Sequence, residues 1–135
     1  MKLHFPLLII VLLAYNIVVF FTGISLNGEI FSLTMVSGVL WTFQVSDLLI
    51  LIALVLLFFE VLKATRTGAG AIIDHLLSTV VFIVALIEFI LVGKAATSTF
   101  FLLVVITLVD VIAGYSVSIT SARRDLSIGH PDSYV

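Results

Sequence analysis

The chain has 135 residues, of which 62% are hydrophobic and 10% are charged, and its mean hydropathy is +1.39. These values lie far outside the range of soluble globular chains and indicate a single-domain, multi-pass membrane protein. A net charge of −2 provides no basic surface for nucleic acid, and the lack of cysteine excludes disulfides and thiolate chemistry.

Four apolar runs are near the length that crosses about 30 Å of hydrocarbon. They predict transmembrane helices at about 5–22, 47–63, 72–93 and 98–120. The first run follows Lys2 but has no Ala-x-Ala-like cleavage site after Phe21, so we expect a retained helix and not a signal peptide. The predicted fold is an all-α membrane protein, an up-down four-helix bundle over residues 1–122, followed by a short cytoplasmic tail at 123–135.

The positions of Lys and Arg predict the orientation, because positive residues near helix ends resist translocation. With a cytoplasmic N-terminus, five of the six Lys and Arg residues lie inside and Lys94 alone lies outside. We therefore expect a multi-pass protein of the plasma membrane or bacterial inner membrane with both termini cytoplasmic. The segment 23–46 then faces the periplasm or the cell exterior.

The external segment EIFSLTMVSGVLWTFQVSD, residues 29–47, alternates apolar and polar residues. This period is typical of a strand with one buried face. A three-residue loop ending at Gly38 places Leu33 opposite Trp41 and keeps the apolar residues of both strands on one face. A two-residue turn would place the apolar residues of the two strands on opposite faces of the hairpin. The sequence therefore predicts a β-hairpin at about 29–45 in the first external loop.

The apolar face of this hairpin is a predicted contact surface. It comprises Phe31, Leu33, Met35, Val39, Trp41, Phe43 and Val45. An isolated hairpin is only marginally stable in water, so this face must rest on something. Three supports remain open: the outer ends of the chain's own helices, the lipid interface, where Trp is favoured, and a neighbouring subunit or protein. A further alternative is a re-entrant segment that lines a pathway.

Acids within the apolar runs are the strongest functional pointers, because an uncompensated carboxylate in hydrocarbon costs several kcal/mol. Asp110 lies at the middle of the fourth run, far from any evident Lys or Arg, so we expect it to be protonated, hydrogen-bonded or open to water. Its candidate partners are Asn16 and Thr107. Glu88 lies in the outer half of the third run and Glu60 in the inner part of the second. The candidate polar path for an ion comprises Asp110, Glu88, Glu60 and Asn16.

The remaining acids have structural interpretations. Asp47 lies at a predicted helix start, where the helix dipole favours an acid, and Asp74 is expected to begin the third helix in the same way. Glu60 precedes Lys63 by three residues, so we expect the two to pair and to reach the inner surface.

Small and polar residues recur on one face of each of the last two predicted helices. On the third helix this face comprises Asp74, Ser78, Val81, Ala85 and Glu88, and on the fourth it comprises Asp110, Gly114, Ser118 and Ala122. The face on the third helix is expected to turn inward. The seam on the fourth helix permits close helix approach, within the bundle or across an oligomer axis.

No chemistry of a known site emerges beyond these acids. The histidines are scattered, and adjacent side chains such as Asp74 and His75 diverge by about 100° on a helix, so we expect no metal site and no cofactor. No phosphate-binding glycine loop or catalytic motif is present, so we do not expect an enzyme.

The expected role is that of a homo-oligomeric structural, scaffolding or accessory component of a membrane assembly. Its expected partners are the lipid bilayer and a second copy or another membrane protein, and not nucleic acid. The alternative is a proton- or cation-conducting channel that uses Asp110 and Glu88.

Overall fold

The chain folds into helices and one two-stranded hairpin. A computed structural model describes residues 5–65 and 69–128, with side chains from 5 to 65 and from 72 to 116. The elements are α1 (Leu8–Asn16), a π-helical turn (Ile17–Phe21), β1 (Glu29–Thr34), β2 (Leu40–Gln44), α2 (Val45–Lys63), α3 (Ala69–Leu91), a 3-10 turn (Gly93–Ala95) and α4 (Ser98–Ile128).

Within residues 5–65 and 69–128, three helices are long and apolar enough to cross a membrane. The qualifying segments are Val45–Lys63, Ile72–Leu91 and Ser98–Ser116. The first apolar run forms the shorter helix Leu8–Phe21, which covers about 20 Å at 1.5 Å per residue. It is shorter than predicted because Pro6 precedes its first turn and Thr22 is already extended. The four predicted spans therefore correspond to three long helices and one short apolar helix.

Several boundaries of the three long helices differ from the prediction. α2 begins two residues early at Val45, and α3 begins three residues early at Ala69 and ends two residues early at Leu91. α4 runs eight residues beyond its predicted end, to Ile128. The end of the apolar pattern does not mark the end of this helix. The segment 121–128 contains neither Gly nor Pro, so helix propensity alone allows α4 to continue through it.

The core lies where α1 meets α4, close to the α3–α4 connection. The Tyr15 ring is fully buried against Phe100, with the ring centroids 4.8 Å apart. The Tyr15 hydroxyl donates to the Lys94 carbonyl oxygen at 2.9 Å and lies 2.8 Å from Thr97 Oγ1. These contacts attach α1 to the connection between α3 and α4. Most other large apolar side chains point outward, as lipid-facing residues do.

The hairpin has the predicted register. Leu33 lies opposite Trp41 and Phe31 opposite Phe43, so the prediction is confirmed. The Phe31 and Phe43 rings stack at 5.0 Å, and the Trp41 ring packs edge-on against Phe31 at 5.7 Å. Phe31 and Trp41 nevertheless remain 47% and 44% exposed. The chain's own helices therefore leave this aromatic face largely uncovered.

The hairpin loop also has the predicted length and closing residue. The Met35 N–H donates to the Val39 carbonyl oxygen at 2.8 Å, and the Gly38 N–H donates to the Met35 carbonyl oxygen at 2.9 Å. Gly38 has a φ of 89°, the left-handed conformation that a three-residue loop requires at its last position. The turn chemistry and the apolar pattern thus specify the same register.

We expect Gly38→Ala to destabilise the hairpin by about 1 kcal/mol, because a Cβ at positive φ costs about 1–2 kcal/mol. Amide hydrogen exchange in β1 and β2 should accelerate by about fivefold. Gly23→Ala is the matched control, since an added Cβ meets nothing within 4 Å at either position and only Gly38 has a positive φ. Equal exchange rates in the two variants would contradict this account.

The hairpin joins α2 without a linker. β2 ends at Gln44 and α2 begins at Val45. The Gln44 side chain accepts from the Asp47 N–H, and the Asp47 carboxylate accepts from the Gln44 N–H at 3.0 Å. The N–H groups of Val45 and Ser46 donate back to the segment before β1, at 3.0 and 2.9 Å. Asp47 therefore has the expected structural role at a helix start.

Candidate functional site

Polar side chains from three helices converge on one small cavity. Its polar lining comprises Glu60 and Lys63 of α2, Asp74, His75 and Ser78 of α3, and Asp110 of α4. We call these six residues the polar cluster. The cavity has a volume of about 10 Å³, which is room for a single water molecule.

Lys63 is the cation at the centre of the polar cluster. Its Nζ lies 3.1 Å from Glu60 Oε1 and 3.4 Å from Asp74 Oδ2. The side chains of Lys63, Glu60 and Asp74 are only 11%, 4% and 14% exposed. The predicted Glu60–Lys63 pair is confirmed, but Glu60 is buried and does not reach the surface. Asp74 lies in the second turn of α3 and faces Lys63, so the prediction that it begins the helix is wrong.

The same ion pair fixes the start of α1. Glu60 Oε1 accepts from the Leu7 N–H at 2.8 Å, and Lys63 Nζ donates to the Phe5 carbonyl oxygen at 2.7 Å. The first N–H groups of a helix have no partner within it, so an acceptor at this place stabilises the helix end. Sequence spacing gave no indication of this contact, because it joins residues 53 positions apart.

Asp110 lies in the polar cluster and not beside its predicted partner Asn16. Its carboxylate packs against Ser78 and shares the cavity with Lys63. The long side chain of Lys63 reaches into the bundle from the helix end, so the prediction that Asp110 lies far from any Lys or Arg is wrong. The other predicted partner, Thr107, donates to the Val104 carbonyl oxygen at 2.6 Å.

Asn16 is instead the partner of Glu88. Its Nδ2 donates to the Leu12 carbonyl oxygen at 2.9 Å and lies 3.4 Å from Glu88 Oε1. The offset between helices explains the difference. α1 meets α4 at Phe100, which is ten residues or about 15 Å along the helix from Asp110.

The Asn16–Glu88 pair lies in a second, mostly apolar cavity between α1 and α3. This cavity has a volume of about 280 Å³. Val81 and Ala85 lie between Glu88 and the polar cluster on α3, and Ala85 is 1% exposed. The four residues of the predicted ion path thus fall into two separate sites, with Asp110 and Glu60 in one and Asn16 and Glu88 in the other.

His75 is the member of the polar cluster that sequence reasoning missed. It is 7% exposed, and its Nε2 has no hydrogen-bond partner among the described residues. Asp74 Oδ1 is likewise buried and unpartnered within the described part of the chain. The His75 ring packs against Tyr115, with the ring centroids 4.9 Å apart. The signal that identifies it is the spacing of His75 and Ser78, which share one face of α3.

Where side chains are described, members of the predicted faces of the last two helices lie inside the bundle. Ser78 and Ala85 of α3 are buried. Gly114 of α4 lies against His75, so the close approach takes place within the bundle. Ser118 and Ala122 continue α4, but their side chains lie outside the described residues.

We expect Gly114→Ala to lower the free energy of unfolding by about 1–3 kcal/mol, the usual cost of overpacking. A Cβ at this position would lie 3.0 Å from Cε1 and 3.1 Å from Nδ1 of His75. Gly93→Ala is the control, because a Cβ there meets nothing within 4 Å. Thermal unfolding in detergent compares the two. A Gly114→Ala protein as stable as the Gly93→Ala protein would show that His75 is not held as described.

The polar cluster offers proton exchange and hydrogen bonding. In the described part of the chain, no three His, Asp or Glu side chains are grouped closely enough to hold a metal ion. A cavity of about 10 Å³ is also far below the roughly 300 Å³ of a small-molecule site.

The elements and the site define a helical membrane protein with three helices able to span the bilayer, a shorter apolar helix and an exposed hairpin. No family model, curated protein or solved structure matches the chain.

Proposed function

We propose that the chain is a small polytopic protein of the plasma or inner membrane that acts as a homo-oligomeric structural or accessory component of a membrane assembly. The exposed aromatic face of the hairpin carries this proposal. Phe31, Trp41 and Phe43 form one continuous ring cluster with centroid distances of 5.0–5.9 Å. Aromatic residues are enriched at the centres of protein interfaces, where they contribute much of the binding energy.

The position of the hairpin supports a contact close to the membrane. The joint between β2 and α2 has no linker, so the aromatic face lies within a few residues of a membrane-spanning helix. A two-stranded hairpin needs a further packing surface for stability, and its own helices do not provide one. A second copy presenting the same face would supply it through an isologous contact.

The proposed topology includes the first apolar run as a fourth span. The segment 5–22 is longer than the regular helix Leu8–Phe21 within it, and a bilayer can thin locally around a short hydrophobic stretch at modest cost. With four spans, the Lys and Arg distribution supports cytoplasmic termini and an external hairpin.

Cysteine cross-linking tests this role directly, because the natural chain contains no cysteine. Leu33→Cys places a thiol on the aromatic face and Thr34→Cys places one on the opposite face, and both positions are exposed. In native membranes we expect an intermolecular disulfide with Leu33→Cys and none with Thr34→Cys. Mass measurement in nanodiscs should return more than one copy. A monomer with no cross-link at either position would overturn the proposal.

A second candidate function is conduction of protons or cations, which the excess of carboxylates in the polar cluster favours. Glu60, Asp74 and Asp110 face a single ammonium group. In a homo-oligomer, the separate Asn16–Glu88 pair would have to be joined to this cluster along an interface between copies. Proton flux into proteoliposomes tests this candidate. It requires flux in the unaltered protein that both Asp110→Asn and Glu88→Gln abolish.

A further inference from the structure

We propose that the polar cluster is a proton-binding site in which Asp110 and His75 exchange a proton with one water molecule in the cavity. This inference does not rest on the proposed assembly role, since it concerns the interior of a single copy. The site lies at the end of α2 that carries Glu60 and Lys63.

The charges in the polar cluster do not balance. Lys63 contacts both Glu60 and Asp74, so its one positive charge is already shared by two carboxylates before Asp110 is counted. With all three acids ionised and His75 neutral, the described side chains of the cluster would carry a net charge of −2, from three carboxylates and one ammonium group. A low-dielectric interior strongly disfavours such a state. Uptake of one proton lowers the net negative charge of the cluster by one, and a proton is small enough to be bound without enlarging the cavity.

The unpartnered atoms provide an independent indication of a ligand. His75 is more than nine-tenths buried, lines the cavity and has no partner for Nε2 among the described residues. The Oδ1 atom of Asp74 is also buried and has no hydrogen-bond partner among the described residues, although the Asp74 side chain as a whole is 14% exposed. Buried polar atoms are normally hydrogen-bonded, and a water molecule can serve two to four of them at once. The cavity is the size of one such molecule.

The proton transfer is chemically simple. A hydronium ion gives up one O–H bond, and either a new O–H bond forms on an Asp110 carboxylate oxygen or a new N–H bond forms on His75 Nε2. The remaining water stays in the cavity. The charged groups that share the cavity with these two acceptors are Glu60 and Lys63 from α2 and Asp74 from α3. The Tyr115 ring of α4 packs against His75.

The structure favours a binding site over a conduit within one copy. Glu88 is ten residues from Ser78 along α3, which corresponds to about 15 Å. The face between them carries Val81 and the buried Ala85. A proton that reaches Asp110 therefore leaves by the route through which it entered.

Infrared difference spectroscopy of the protein in nanodiscs tests the proposal. We expect a protonated carboxylic acid C=O band at neutral pH that is lost on alkalinisation. Incorporation of ¹³C-labelled aspartate should shift this band, which assigns it to an aspartate without any substitution. Asp110→Asn should remove the band, and Glu88→Gln, the matched control at the other polar site, should retain it.

Several results would overturn the proposal. These are the lack of a band at any pH at which the protein is folded, an unshifted band after aspartate labelling, or loss of the band in Glu88→Gln. Replacement of choline by sodium at constant ionic strength should leave the band unchanged. Its loss in sodium would show that the cluster binds a metal cation instead. None of these readouts depends on the number of copies, so failure here is distinct from failure of the assembly role.

Discussion

Lys63→Met is expected to lower the free energy of unfolding by about 3–5 kcal/mol, the range for removing one partner of a buried ion pair. The substitution leaves Glu60 and Asp74 buried without their cation. It also removes the donor to the Phe5 carbonyl oxygen. Methionine preserves most of the side-chain volume of lysine, so the loss of stability measures the removal of the charge and not the creation of a cavity. Unfolding by sodium dodecyl sulfate, followed by circular dichroism, measures the effect.

Lys94→Met is the matched control for this experiment. Lys94 is exposed, and its Nζ lies 5.2 Å from the centroid of the Phe20 ring. A cation–π contact at an exposed site is worth about 0.5–1 kcal/mol. The double variant Lys63→Met/Glu60→Gln should recover part of the stability, because it removes one of the two stranded charges. If the two single lysine variants unfold alike, Lys63 does not hold the bundle together.

Phe100→Ala is expected to cost about 3 kcal/mol, the lower end of the range for burial of phenylalanine in soluble proteins. Phe100 is fully buried between Tyr15 and Phe89. We use the lower end of this range because lipid chains are as apolar as a protein core. Moving the phenylalanine side chain from lipid into the core therefore contributes little free energy. The remaining cost is the loss of packing contacts around an unfilled space. The same detergent titration measures it.

Phe101→Ala separates this packing effect from a general effect of losing an aromatic residue. Phe101 is 49% exposed and points outward from the same helix. Lipid can fill the space that its ring leaves, so we expect a loss well below that of Phe100→Ala. Equal losses would place the core of the bundle elsewhere than at the α1–α4 contact.

The hairpin could be predicted in detail because two local rules agree. Alternation in the segment 29–47 leaves few registers, and Gly38 is suited to the left-handed position of only one loop length. The helix ends were less predictable. The early start of α2 depends on reciprocal hydrogen bonds between Gln44 and Asp47, and a search for apolar runs does not detect caps.

The polar cluster was only partly predictable for a different reason. Ser78 lies on a helix face that is predicted to turn inward, and Asp110 lies at the middle of an apolar run, whereas Glu60 is predicted to reach the inner surface and is instead buried. Their pairing depends on how far one helix is displaced along its neighbour, and a periodic pattern contains no information on that displacement. Asn16 was therefore assigned to Asp110 when it meets Glu88. The divergence of adjacent side chains on a helix excludes joint metal binding by Asp74 and His75. It does not exclude a role for His75 alone, because a buried imidazole can bind a proton or a water molecule without a second ligand.

The direct joint between the hairpin and α2 has a mechanical consequence. α2 has 19 residues, so it is a stiff rod of about 28 Å. The aromatic face is fixed to one end, and Glu60 and Lys63 occupy the other. A 10° tilt of this rod about the charged end would displace the aromatic face by about 5 Å. Whatever binds the hairpin is therefore mechanically coupled to the ion pair at the opposite end of α2.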